Sequence, residues 1–236
     1  MKTFRFLGVA LITTLLSVNI TSCNKEDEGP TGGNSIIGDK RITKLVTDYS
    51  TTTFVYDDKG RVVESQQNGE VCPYIWGNNT IQREWFNGVN AVQQIFTIKN
   101  GLVQKEEYRD GYDNEIFTYT YDSRGRWNKD MTWDGDKLVL EYIGDAKYKY
   151  NYTGLTCNKG YLPNFNTDEL FTIHPELVGI QTTQLPTSAI RTITGGPSSG
   201  ENSSVAYEYE FDEEGYITKV KEIFPDETYT YTISWE

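Results

Sequence analysis

Histidine is nearly missing from this chain. Among 236 residues there is one, His174, beside three cysteines and two methionines. A Ser-His-Asp relay would have to run through that residue. His174 precedes Pro175 in a stretch without regular patterning, which favours a surface or helix-capping histidine over a catalytic one. One histidine and the well-separated Cys72 and Cys157 also lack the ligand spacing of a zinc site. The two cysteines read as isolated small hydrophobic residues rather than as a disulfide. No glycine-rich loop leads into a helix to cradle a phosphate. The sequence therefore assigns no catalytic residue, metal ligand or cofactor.

Positive charge is scarce as well. The chain carries 22 Lys and Arg against 34 Asp and Glu, a formal balance of −12. Such a charge opposes nucleic acid and anionic lipid surfaces as partners. Helical periodicity is absent at useful length before residue 154, and no βαβ pattern occurs.

What is present begins at the N-terminus. Lys2 and Arg5 precede an apolar run from Leu7 to Ile20. That run is too short for the ~20 residues of a membrane-spanning helix, and residues 1–22 read as an export signal. Ile20-Thr21-Ser22-Cys23 ends it with small residues before a cysteine. This ending resembles a bacterial lipobox, in which the cysteine is acylated and becomes the mature N-terminus, so Cys23 is the expected lipid attachment. Loss of Lys2 and Arg5 leaves 20 basic against 34 acidic residues, or −14. Residues 23–38 are polar and glycine-rich with nothing to bury, the composition of a tether. Within them, Asn24-Lys25-Glu26-Asp27-Glu28 resembles a surface-export signal of gut-dwelling Gram-negative bacteria. The expectation is an outer-membrane lipoprotein, with periplasmic and outer faces both open.

Residues 39–236 read as a single β domain. Its signature is written three times: FVYDDKGRVVE from Phe54, TYTYDSRGRW from Thr118 and YEFDEEGYITK from Tyr209. Aromatic residues alternate with polar ones, as on a strand with one buried face. Asp57, Asp122 and Asp212 each open a turn, and Gly60, Gly125 and Gly215 close it. Aspartate bonds backbone amides ahead of it, and glycine tolerates positive φ. The motif is thus a strand–turn–strand device. Asn68-Gly69, Asn87-Gly88, Asn100-Gly101 and Asp134-Gly135 add further hairpin signals. The runs between turns predict an antiparallel meander of about fourteen strands, a curled sheet or barrel-like fold.

Residues 154–200 break this rhythm, with prolines at 163, 175, 186 and 197. Pro175 to Gly179 reads as one helical turn, with proline first and glycine as stop. A long irregular insertion is uncommon unless it covers something. Leu162, Phe165, Leu170, Phe171, Leu177, Ile180 and Leu185 equip it to cover or plug the sheet.

The YDxxGR and FDEEGYITK hairpins, the HPELVGIQTTQLPTSAI stretch and the final TYTYTISWE resemble a bacterial lipoprotein family of unknown function with a porin-like β-fold. The likeness spans Arg41 to Glu236. A looser one, to the tyrosine–aspartate repeats of large bacterial surface and toxin shells, rests on three irregularly spaced copies. Neither maps a catalytic residue onto this chain.

Asp110-Gly-Tyr-Asp113-Asn114-Glu115 offers oxygen ligands of the kind calcium takes, but hairpin tips are routinely acidic. Of the five tryptophans, Trp85 and Trp133 lie near hairpin tips, where an exposed ring stacks on sugars or protein. The leading functional expectation is a lipid-anchored envelope module binding glycan or envelope protein. A glycan hydrolase using paired carboxylates and a structural scaffold are the alternatives. A membrane channel is disfavoured, because tyrosine recurs along whole strands instead of forming two interfacial girdles.

Overall fold

The computed structural model describes residues 40–86, 90–157, 169–179 and 184–236. The export signal, Cys23 and the tether lie outside the described residues, as do Asn87-Gly88, Leu162, Phe165 and Ile180.

Fifteen antiparallel strands form one sheet, one more than the turn signals suggest. The first eight are β1 (Ile42–Val46), β2 (Thr51–Tyr56), β3 (Val62–Gln67), β4 (Glu70–Trp76), β5 (Thr80–Phe86), β6 (Ala91–Lys99), β7 (Leu102–Arg109) and β8 (Asn114–Thr118). The rest are β9 (Met131–Asp134), β10 (Lys137–Ile143), β11 (Ala146–Asn151), β12 (Ser188–Ile193), β13 (Asn202–Phe211), β14 (Ile217–Ile223) and β15 (Thr228–Trp235). Strands adjacent in sequence pair with each other except β8 and β9, and one long-range pairing is added: β1 with β15. The sheet thus starts and finishes at its middle, and its two edges, β8 and β9, are consecutive in the chain.

The sheet is curled and not closed, for a reason of parity. An antiparallel ring needs an even number of strands, and with fifteen the edges β8 and β9 run the same way. The chain between them, the second aspartate–glycine hairpin, fills the seam with one isolated bridge, Tyr121 to Trp127, and the bond from Asn128 N to Thr120 O (3.0 Å).

Antiparallel pairing gives the sheet two ends. Arg41 starts β1 at one end, which we call proximal, beside Glu236 of the C-terminus (Arg41 N to Glu236 O, 2.7 Å). Strand direction places all three aspartate–glycine turns at this end. They share one bonding scheme. Oδ1 of Asp57 accepts the amides of Lys59 and Arg61, Asp122 those of Arg124 and Arg126, and Asp212 those of Glu214 and Tyr216, at 2.8–3.0 Å. In the first two, Oδ2 also receives two nitrogens of the guanidinium four residues on (Arg61 at 2.8 and 2.6 Å, Arg126 at 2.9 and 2.7 Å). The third turn has Tyr216 there and lacks the clamp. Gly60, Gly125 and Gly215 have φ of +73°, +76° and +89°, in the region that L side chains avoid.

The inward face is packed rather than hollow. Phe54, Val62, Ile81, Phe96, Val103, Ile217, Val220 and Ile233 are buried from the strands. The insertion adds Leu170, Phe171 and Ile173 from a short helix, α1 (Glu169–Ile173), then Leu177 and Val178 from a 3-10 turn (Pro175–Val178), and Leu185. Full burial of each such side chain stabilises by roughly 1.5–3 kcal/mol. Phe171 makes edge contacts with Phe96 and Tyr119, both at 5.5 Å between centroids. The insertion therefore plugs the curled sheet. Its 3-10 turn ends on Gly179 in the left-handed region (φ +64°), hard against the seam hairpin.

The outward face carries cross-strand charge pairs beside exposed apolar residues such as Val55, Ile75 and Ile190. Glu210 pairs across strands with Lys219 (2.8 Å) and Glu208 with Lys221 (3.4 Å), while Glu107 holds Lys105 and Arg109. A lipid-facing band requires apolar residues at such positions, so the charged stretches on β7, β13 and β14 are suited to water.

Candidate functional site

The distal end carries a concavity of about 360 Å³. Two turns frame its rim: residues 47–50 after β1, and residues 224–227 between β14 and β15. Thr47 Oγ1 accepts the amides of Tyr49 and Ser50, which fixes the first turn and projects Tyr49 outward, 79% exposed. The second closes through Phe224 N to Glu227 O (2.8 Å). Asp48 Oδ2 accepts the amide of Thr230 (3.0 Å) and ties the two together. The result is a contiguous aromatic rim. Tyr229 lies 6.5 Å from Tyr49 and 5.7 Å from Phe224 between ring centroids.

The floor comes from inward-facing residues of β11, β12, β14 and β15: Tyr148, Arg191, Glu222 and Tyr231. Tyr148 and Arg191 are cross-strand partners, as are Glu222 and Tyr229. Burial raises the Glu222 carboxyl above the ordinary carboxylate range, against a bond from Tyr231 Oη (3.3 Å). Burial also raises Tyr148, opposed by the charge of Arg191. A bond to the Glu227 carboxylate pushes Tyr229 up to about 12. The floor thus holds a permanent cation beside a carboxyl that burial makes harder to ionise.

A second polar group lies inside the other half of the sheet and is occupied by the plug. Glu169 of α1 accepts from Tyr74 Oη (2.7 Å) and lies 3.8 Å from Arg83. Arg83 donates to Gln94, Gln94 to Glu106, and Tyr119 Oη to the same carboxylate. Arg83 also stacks over Trp85, at 4.9 Å.

The residues singled out from sequence fall elsewhere. His174 is not on the surface: it occupies the N-cap position of the 3-10 turn, but it is buried at 4% exposure and its side chain makes no cap bond. The Val62 amide can only donate, so Nε2 of His174 accepts it (3.2 Å) and the ring proton sits on Nδ1, facing Glu176 at 2.8 Å. The rings of Trp76 and Tyr56 pack edge-on against it. Gly196-Pro197-Ser198-Ser199-Gly200 carries the letters of a nucleophile turn, but it is a distal hairpin loop without a following helix, at the opposite end from His174. Cys72 and Cys157 are not disulfide-linked. Asp110 Oδ1 accepts the amides of Tyr112 and Asp113, which lowers its carboxyl and engages it in its own turn. No cluster of metal-ligating side chains occurs among the described residues. Trp85 and Trp133 are half-buried, and Trp133 donates to Trp127 O (2.9 Å).

The aromatic cluster at the distal pocket is the exposed Tyr49 with the half-buried Phe224 and Tyr229, which sequence reasoning passed over. A local signal existed: Asp48-Tyr49-Ser50 and Phe224-Pro225-Asp226 set an aromatic directly on turn residues.

The sequence matches no family model and no curated protein. The fold does have solved counterparts. A porin-like protein from Bacteroides vulgatus superposes with a TM-score of 0.61 at 14% identity, covering 84% of this chain and 99% of that one. A porin-like protein from Bacteroides uniformis gives 0.54 at 13% identity, covering 84% and 95%. The porin-like β-fold is thereby established for this chain.

Proposed function

We propose that this protein is a lipid-anchored envelope module that binds glycan through its distal pocket. The aromatic rim carries the reading: Tyr49, Tyr229 and Phe224 flank a groove with polar groups on its floor, the arrangement that stacks on sugar rings and bonds their hydroxyls. The anchor would be Cys23, on the outer membrane, joined to the proximal end by the acidic tether. The pocket lies at the other end of β1, facing away from the anchored side. Cleavage would need a second carboxylate facing Glu222 across the groove. Asp48 is engaged by the Thr230 amide and Glu227 by Tyr229, so binding without turnover is the reading this site supports best.

The test is titration calorimetry of the soluble domain against an oligosaccharide panel, with product analysis after long incubation. Binding that weakens about tenfold in Tyr49→Ala and Tyr229→Ala, at unchanged melting temperature, is the expected result; an aromatic contact of ~1–1.5 kcal/mol sets that scale. Released sugar would replace it with the hydrolase reading, and no binding would favour the scaffold.

A further inference from the structure

We infer that the sugar held in the distal pocket bears a carboxylate, and that Arg191 is the residue that receives it. The inference rests on the glycan reading above and narrows its ligand class to acidic sugars.

Two arginines project into the interior of the curled sheet, one in each half, and they are treated differently. Arg83 is supplied with a carboxylate by the chain itself. Glu169 of the plug lies 3.8 Å from it, Tyr74 bonds both, and the Trp85 ring covers the guanidinium. Arg191 has aromatic neighbours of the same kind, Tyr148 and Tyr229, and hydrogen-bonds Tyr148, but among the described residues it has no ion pair. Two buried side-chain nitrogens find no hydrogen-bond partner among the described residues: Trp127 Nε1 at the seam, and Nε of Arg191. The second lines the distal pocket.

A buried cationic donor without an acceptor is costly, because desolvation is not offset by a bond. A carboxylate is the natural complement, since a guanidinium presents two parallel N–H groups to its two oxygens. The rest of the floor is compatible with an incoming anion. Burial raises Glu222, so it takes up charge less readily than a free carboxyl and opposes an anion less. Asp48 and Glu227 are engaged at the rim. The net charge of −12 opposes a polyanion. What fits is one carboxylate on a short or terminal sugar, seated on Arg191 with its ring against Tyr229. Arg83 and Glu169 show the same pairing made within the molecule.

The experiment compares free acids with their methyl esters, which keep the ring and hydroxyls and remove the charge. Digalacturonic acid, a glucuronyl-terminated disaccharide and sialyllactose are titrated in both forms into wild type, Arg191→Lys and Arg191→Gln. At least one acid is expected to bind tenfold or more tighter than its ester. That preference should vanish in Arg191→Gln and persist in part in Arg191→Lys. The acid–ester comparison on wild type stands even if a variant fails to fold. Esters or neutral sugars binding as well as the acids, or a preference surviving in Arg191→Gln, overturn the acidic-sugar assignment and leave the glycan reading standing. Binding of nothing in this panel or the neutral one overturns both.

Discussion

The amide of Val62 donates to Nε2 of His174 across 112 positions of sequence. It is the point where the plug is stitched to the strand that follows the first aspartate–glycine turn. Both groups are buried, and Val62 also gives its carbonyl to Trp76 Nε1 (2.6 Å). The one histidine of this protein is a structural latch. His174→Ala should destabilise the domain by about 2–4 kcal/mol, since it opens a cavity and strands a buried amide. His174→Gln, which restores an acceptor, should lose less. Urea unfolding measures both, and amide exchange at Val62 should accelerate far more in the alanine variant. Equal losses would show that the ring's volume matters and its nitrogen does not.

Gly179 and Gly125 are both in the left-handed region but differ in what surrounds them. A Cβ at Gly179 would sit 1.8 Å from the Gly125 carbonyl oxygen, whereas one at Gly125 meets only Leu102 Cδ1 at 3.7 Å. Gly125→Ala should cost about 1–2 kcal/mol, the backbone term alone. Gly179→Ala should cost at least ~1 kcal/mol more, because the plug must lift from the seam. Similar melting shifts would mean that the plug does not bear on the hairpin.

Two sets of carboxyls set opposite pH dependences. Bonds from Arg61 hold Asp57 below the ordinary aspartate value. Asp122 is also lowered, with bonds from Arg126 outweighing its burial. Their contribution is complete above the unfolded value of ~3.9 and disappears as pH falls through the lower folded values. Glu222 is raised, so its contribution is complete below the unfolded value of ~4.3 and is lost as pH climbs through the folded one. Melting curves should show Asp57→Asn/Asp122→Asn flattening the acid limb between about pH 5 and 2. Glu222→Gln should raise the melting temperature at pH 7 but not at pH 4. A wild-type acid limb in the double variant would place the acid sensitivity elsewhere.

Cys23→Ser should abolish incorporation of labelled fatty acid and leave the export signal uncleaved by the lipoprotein peptidase. Continued acylation of that variant would remove the anchor from the proposal. Protease accessibility on intact cells then reports the face on which the domain sits.

The strands were legible because their signals are local. Tyr207 and Tyr209, alternating with the exposed Glu208 and Glu210, announce the one-sided strand β13, and Asn100-Gly101 announces a turn within two residues, both at positive φ. The partnership of β1 with β15 was not legible, since no short window contains both. The seam follows from that partnership, so it was hidden too. The pocket was hidden for the same reason. Tyr49 and Tyr229 meet only once the chain's first and last hairpins are side by side, and Arg191 reads as one more polar residue of a strand until its neighbours are known. His174 was misjudged because a proline-rich stretch suggests exposure, whereas the helix and turn within it fold into the core.

β1 runs between the two points at which this molecule would be pulled. Its first residue follows the tether, its last precedes the pocket rim, and it lies between β2 and β15. A ligand tugging on the rim against a fixed N-terminus would draw β1 lengthwise, across ladder bonds that stand perpendicular to the strand. Those bonds then fail together rather than one after another. Under tension the domain should hold best along the axis that would join a bound ligand to the proposed anchor, with its lifetime set by the barrier to unfolding.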